Sequence, residues 1–141
     1  MGPKLALSDE LRRLVETRMQ QTLEGIEDTL GRILENQELS NKDLTAVVHS
    51  LGPSFALLSQ KWTLEILYTL FLKTTFGFSG LKKTLSVNSR TLSDKLKSLK
   101  EHGYIERKVE AGPPLKVKYS LTTKGKNTVL LALPLLYYSA V

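Results

Sequence analysis

The sequence predicts a mainly α-helical chain with one small β-hairpin, and three observations carry that expectation. Apolar residues recur at steps of three or four through most of the 141 residues, the spacing that lines one face of a helix. That period gives way once, over residues 104–121, to apolar and polar side chains in alternation around Gly112-Pro113-Pro114, which marks two strands and a tight turn. After a long first stretch, Gly, Pro, Ser and Asn fall at short intervals, so the later helices are short. The length suits one compact domain with an added arm.

Ser8 can cap a first helix whose opening turn holds Asp9 and Glu10, acids that suit the positive end of the helix dipole. Leu11, Val15, Met19, Leu23, Ile26, Leu30, Ile33 and Leu34 then trace one stripe to about Asn36, a rod about 40 Å long at ~1.5 Å per residue. Gly25 and Gly31 each weaken that helix by about 1 kcal/mol relative to Ala. Packing must therefore hold it, either on its own domain or, the preferred reading for so long a helix, on a second copy.

Ser40, three residues before Asp43, marks a second helix start, with Leu44, Val47, Val48 and Leu51 as its apolar face and Gly52-Pro53 as its expected end. Pro53 is expected to open a short helix through Leu58, and Ser59-Gln60 breaks the pattern before an apolar helix from Trp62 to about Leu72. Phe76-Gly77-Phe78-Ser79-Gly80 reads as a turn, with Ser79 capping a short helix that ends near Leu85. After a turn at Ser86-Val87-Asn88, Ser89 is expected to cap a helix over residues 90–102, with Gly103 as its left-handed stop. Residues 104–109 and 115–121 read as strands around a rigid tip, Ala111-Gly112-Pro113-Pro114. In the second strand Val117, Tyr119 and Leu121 alternate with Lys116, Lys118 and Ser120, so one face is apolar and the other basic. Thr122 or Thr123 caps a last helix through the uncharged tail, with a kink or break expected at Pro134.

Helix, short helix, turn, helix and β-hairpin, in that order, make the layout of a winged helix-turn-helix. Such a fold lays its second helix in the DNA major groove while flanking basic groups hold phosphates. With Leu92, Leu96 and Leu99 as the core face of that helix, a step of about 100° per residue puts Arg90, Asp94, Lys97 and Glu101 opposite, with Thr91 and Ser98 beside them. Ser89, Arg90, Thr91 and Asp94 are the candidates for groove contacts, and Lys97 for the backbone. Arg90 is the candidate for a bidentate guanine contact. Asp94 either accepts from a cytosine amino group or bridges back to Arg90. Lys82, Lys83, Arg107, Lys108, Lys116 and Lys118 are the candidates for phosphate contacts from the preceding helix and the wing.

The charge is divided in keeping with that reading. The net charge is +6, yet residues 1–60 hold six basic residues against nine acidic, residues 61–126 hold fourteen against five, and residues 127–141 hold none. A basic segment beside an acidic one points to a polyanion partner for one half only. With no Cys, the chain can form no disulfide and offer no thiolate nucleophile or ligand. His49 and His102 are far apart in sequence, and His49 reads as a surface or interface histidine, so neither a metal nor another cofactor is expected. Glu106 and Glu110 lack a nucleophile or base partner, and no Gly-rich phosphate loop follows a strand, so an enzyme is not expected. The N-terminus does not pattern as an export signal, and the apolar run 127–141 is shorter than a membrane span. The expected location is cytoplasmic, without a membrane partner. Trp62, Tyr68, Phe71, Phe76, Phe78, Tyr137 and Tyr138 read as core aromatics before they read as a pocket for a small-molecule effector.

Four stretches resemble the HxlR-type transcriptional regulators, relatives of the MarR regulators within the winged-helix superfamily. They are Gln60-Lys61-Trp62-Thr63-Leu64-Glu65-Ile66-Leu67, the run from Thr91-Leu92-Ser93 to Gly103-Tyr104-Ile105, the Pro113-Pro114 tip, and Tyr119-Ser120-Leu121-Thr122-Thr123-Lys124-Gly125. The resemblance covers about residues 53–136. It implies a homodimer on a pseudo-palindromic operator in double-stranded DNA, with terminal helices building the dimer. Gly52 stands where many members carry a Cys before the proline that matches Pro53, so thiol sensing does not transfer. Ser59-Gln60 replaces a loop that is often Gly-rich, and the arm before Pro53 is longer than usual. The expected organisation is an N-terminal helical dimerisation arm over 1–52, a winged helix-turn-helix over 53–125 and a C-terminal apolar dimerisation or packing helix over 126–141. The alternative reading is a winged-helix module that binds another protein, without sequence-specific DNA binding.

Overall fold

A computed structural model describes residues 9–35 and 37–139. The elements run α1 (Asp9–Glu35), α2 (Asn41–Phe55), α3 (Thr63–Leu72), α4 (Phe78–Leu85), α5 (Ser89–Glu101), β1 (Ile105–Glu110), β2 (Lys116–Leu121) and α6 (Thr123–Ser139). The mainly α class with a single antiparallel hairpin is the one the sequence predicts. Ser8, expected as the first cap, lies outside the described residues, as do the side chains of Leu11, Tyr137 and Tyr138. Among the described residues no helix is long and apolar enough to cross a membrane. The chain divides into two compact units, one holding the residues up to Ser50 and those from Tyr138 onward, the other Leu51–Tyr137.

In the first unit α1 is one 27-residue helix. Its stripe is buried at Met19 and half-buried at Val15, then open from Leu23 onward. The start of α2 carries the reciprocal cap that Ser40 and Asp43 predict. Asp43 N–H donates to Ser40 Oγ at 3.2 Å, and Ser40 N–H donates to Asp43 Oδ2 at 3.1 Å. Two backbone donors that the first helical turn leaves unpaired are satisfied in this way.

The second unit contains the core. Ile66, Leu67 and Leu70 of α3, Leu81 of α4, Val87 of the turn, Leu92, Leu96 and Leu99 of α5, Ile105 of β1 and Val129 of α6 form one buried cluster. Fully burying each Leu or Ile contributes about 1.5–3 kcal/mol, so the periodic leucines of α5 set its orientation. The predicted end of α2 at Gly52-Pro53 is not observed, because the helix runs through both to Phe55. Proline there removes one donor in the last turn. The chain then continues in turns closed by Ser59 N–H to Phe55 O (2.9 Å) and Gln60 N–H to Leu57 O (3.2 Å), not in a separate helix to Leu58. Likewise α6 continues through Pro134 without the expected break.

Two expected caps move by a residue or two. Gly77, not Ser79, precedes α4, because Phe76 is held in an antiparallel bridge to Tyr119, with N–H to O distances of 3.1 and 2.7 Å, and the helix starts as soon as that bridge ends. Residues 76–80 are thus not only a turn: Phe76 adds a short third edge to the hairpin. Asn88, not Ser89, caps α5, its side chain accepting from Thr91 N–H at 2.8 Å. The stops are as clear. Gly103 is left-handed at φ 79, with Gly103 N–H to Lys100 O and Tyr104 N–H to Leu99 O at 3.0 and 2.9 Å, the paired bonds of a Schellman motif. Ser86 plays the same part at the end of α4 with φ 53, and buried Val87 follows it.

Candidate nucleic-acid interface

The site begins with α5, because its apolar side is fully committed. Leu92, Leu96 and Leu99 are buried, and the opposite side presents Arg90, Asp94, Lys97 and Glu101 to solvent. Ser89 is exposed beside the capped end, while Thr91 and Ser98 are half-buried at the margin. Ser93 and Lys100 are exposed as well. The sequence candidates omitted both, although steps of three from Arg90 and from Lys97 reach them. Lys95 turns the other way, its ammonium donating to Gln60 Oε1 in the turn before α3, and this ties α5 to the segment that leads into Trp62.

On α4, Lys82 and Lys83 are both exposed in the last turn, where cations suit the helix dipole. In the wing the register pairs Arg107 with Tyr119, Lys108 with Lys118, and Glu110 with Lys116. Directly paired residues share a face and neighbours along a strand alternate. Lys108, Lys116 and Lys118 therefore lie on one face together with Glu106 and Glu110. Arg107 lies on the other, with Val109, Val117 and Tyr119. The hairpin does not gather all four of its candidate cations. Lys118 is moreover half-buried and paired to Glu110 at 3.4 Å, which leaves Lys108 and Lys116 as the exposed lysines of that face.

The base of the wing is locked to α5 by the residues after β2. Thr122 hydroxyl donates to Gly103 O at 2.6 Å and accepts from Gly125 N–H at 3.1 Å, so Thr122 is the cap of α6. Lys124 donates to His102 O at 2.9 Å and sits 4.4 Å from the Tyr104 ring centroid. A Cβ at Gly125 would stand 2.1 Å from Tyr104 O, closer than any side chain can approach. The Thr-Thr-Lys-Gly run is thus a clamp between α5 and α6, and Lys124 is spent within it. Among the described residues no group of His, Asp and Glu is arranged to hold a metal ion.

Comparison with known proteins agrees with this geometry. The profile of the HxlR-like helix-turn-helix family matches residues 57–136. The uncharacterized HTH-type transcriptional regulator YdzF of Bacillus subtilis is 35% identical over 75 residues, spanning 52% of this chain and 69% of that protein. YvaP of the same organism, named in the same way, is 37% identical over 71 residues, spanning 50% and 65%. Among solved structures, the reduced form of the transcriptional regulator YodB from B. subtilis matches with a TM-score of 0.54 at 22% identity, over 72% of this chain and 92% of that one. The redox regulator HypR in its reduced form matches with a TM-score of 0.58 at 23% identity, over 64% and 90%. At those identities the structural likeness concerns the fold. Because the family profile spans α3 to α6 and every element of the wing, the chain belongs to the HxlR-like helix-turn-helix family.

Proposed function

We propose that the protein is a transcriptional regulator that binds double-stranded DNA sequence-specifically, as a homodimer on a pseudo-palindromic operator. The observation that carries this reading is α5, whose leucine side is locked in the core while Arg90, Asp94 and Lys97 stand outward beside a basic hairpin. An exposed helix of that kind suits the major groove. Ser89, Arg90, Thr91 and Asp94 are then the groove contacts. Lys82, Lys83, Lys97, Lys108 and Lys116 hold phosphates, with Lys118 and Arg107 in lesser parts because of the Glu110 pair and the opposite face. The exposed apolar side chains Leu130, Leu131 and Leu135 of α6 support self-association, since open apolar faces mark contact surfaces. The working place of such a regulator is the cytoplasm, and its partners are DNA and its own copy.

Selection of bound duplexes from a random pool tests this reading. The expected product is an enriched motif with two inverted half-sites about one helical turn apart. Enrichment of a single half-site removes the dimer, and no enrichment at low salt removes sequence-specific binding.

A further inference from the structure

The outward side of α5 carries two acids among its bases. Glu101 stands at the last residue of the helix, whereas Asp94 stands in its first half, exposed between Arg90 and Lys97. At ~1.5 Å per residue it lies about 6 Å along the axis from Arg90 and about 4.5 Å from Lys97. Neither cation engages it. Among the described residues Asp94 has no ion pair or side-chain hydrogen bond, and nor has Arg90, while Glu110 on the wing is paired to Lys118. The sequence order agrees, because a base four residues before an acid makes a weaker helical pair than the reverse. The bridge back to Arg90 that the spacing allows is therefore not formed, and the carboxylate is free.

A free carboxylate at this place works against the basic surface around it. It repels phosphates and offsets one of the cations through which a polyanion is held. Its chemistry nevertheless suits a base edge. An ionised carboxylate only accepts hydrogen bonds. In the major groove cytosine offers the N4 amino donor, guanine the N7 and O6 acceptors, and thymine the O4 acceptor beside a methyl group. Adenine sets an acceptor, N7, next to its N6 donor. The carboxylate therefore attracts the cytosine edge, is met only in part by adenine, and is repelled by guanine and thymine. Discrimination of this kind comes as much from the partners it rejects as from the one it accepts.

We propose that Asp94 is a specificity-determining residue that selects cytosine, and rejects guanine and thymine, within two base steps of the pair read by Arg90. The separation follows from ~6 Å along a helix in the groove, which spans fewer than two steps of ~3.4 Å. The inference rests on the DNA-binding reading above and adds to it the base that is chosen. Selection from a random duplex pool tests it, run with the full chain as wild type, Asp94→Asn and Glu101→Gln. Asp94 is exposed and unpaired, so Asp94→Asn is expected to keep the circular dichroism of the wild type. The wild type is expected to enrich a motif with a cytosine within two steps of a guanine. Asp94→Asn is expected to keep the rest of that motif and exchange the cytosine for adenine, because a carboxamide both donates and accepts and pairs with adenine N6 and N7. Glu101→Gln removes the same charge farther along the helix and is expected to return the wild-type motif. By fluorescence anisotropy, changing the cytosine to thymine is expected to weaken wild-type binding roughly 5- to 150-fold and to affect Asp94→Asn far less. A wild-type motif without that cytosine, a motif that Asp94→Asn leaves unaltered, or the same exchange in Glu101→Gln overturns the proposal. Failure of the wild type to enrich any motif removes the DNA-binding reading, and the proposal with it.

Discussion

Individual side chains differ in what they are free to do, and this divides the candidate cations more sharply than their spacing does. Arg90 is exposed on α5 and Lys116 is exposed on the wing. Arg90→Ala is expected to cost on the order of 1–3 kcal/mol at one base step and to relax specificity there, whereas Lys116→Ala weakens all sequences alike. Arg107→Ala should weaken binding less than Lys116→Ala, since the register turns Arg107 to the other face of the hairpin. Fluorescence anisotropy with the selected operator and with single-base variants measures all three, and equal losses for Arg90→Ala and Lys116→Ala would misplace the reading helix. Thr63 supplies a stability test. It is fully buried at the start of α3 and its hydroxyl has no hydrogen-bond partner, a condition that costs about 1–3 kcal/mol. Replacing the hydroxyl by a methyl group in Thr63→Val is expected to leave stability unchanged or raise it by about 1 kcal/mol, read from urea unfolding. A loss exceeding that amount would mean that the hydroxyl is satisfied in solution. The alternation of the wing was legible, because Arg107 and Lys108 are neighbours on one strand and cannot share a face. The engagement of Lys95 was not, because its acceptor Gln60 is 35 residues away in sequence.

At the scale of elements, starts and stops follow capping chemistry, and the differences from expectation are informative. Asn88 and Ser89 are both good caps, so sequence alone could not choose between them. The choice falls to Asn88 because its carbonyl oxygen reaches Thr91 N–H. Ser79 loses its capping role to a contact across 43 residues, the Phe76–Tyr119 bridge, which no local pattern announces. Pro53 lies in the last turn of α2 and Pro134 inside α6, and in each case the loss of one donor does not end the helix at the proline. The turn between α4 and α5 yields a prediction. Ser86 holds a left-handed conformation at φ 53 and is exposed, a geometry that costs an L-residue roughly 1–2 kcal/mol and glycine little. Ser86→Gly is expected to stabilise the protein by about 0.5–1 kcal/mol and to raise the thermal midpoint in calorimetry by a few degrees. A lower midpoint would show that the Ser86 side chain contributes more than its backbone strain.

On the scale of the whole molecule, the basic half and the acidic arm are different in kind. The +9 balance of residues 61–126 coincides with the helix-turn-helix and wing, so binding should be governed by counterion release. A dimer neutralising on the order of 6–10 phosphates is expected to lose about 10³–10⁵ in affinity between 50 and 200 mM salt. Titrations across that range measure the slope, and a flat response would detach the basic surface from binding. By itself the sequence determined the order of the elements from α3 to α6, the leucine side of α5, the left-handed stop at Gly103 and the charged stripe opposite, because all of these depend on neighbours three or four residues apart or on the conformational freedom of one residue. Only the tertiary structure decided which cations remain free. Lys95, Lys118 and Lys124 are committed to Gln60, Glu110 and His102, respectively. Those partners come from chain closure over longer distances, which the spacing of residues along one helix or strand does not encode.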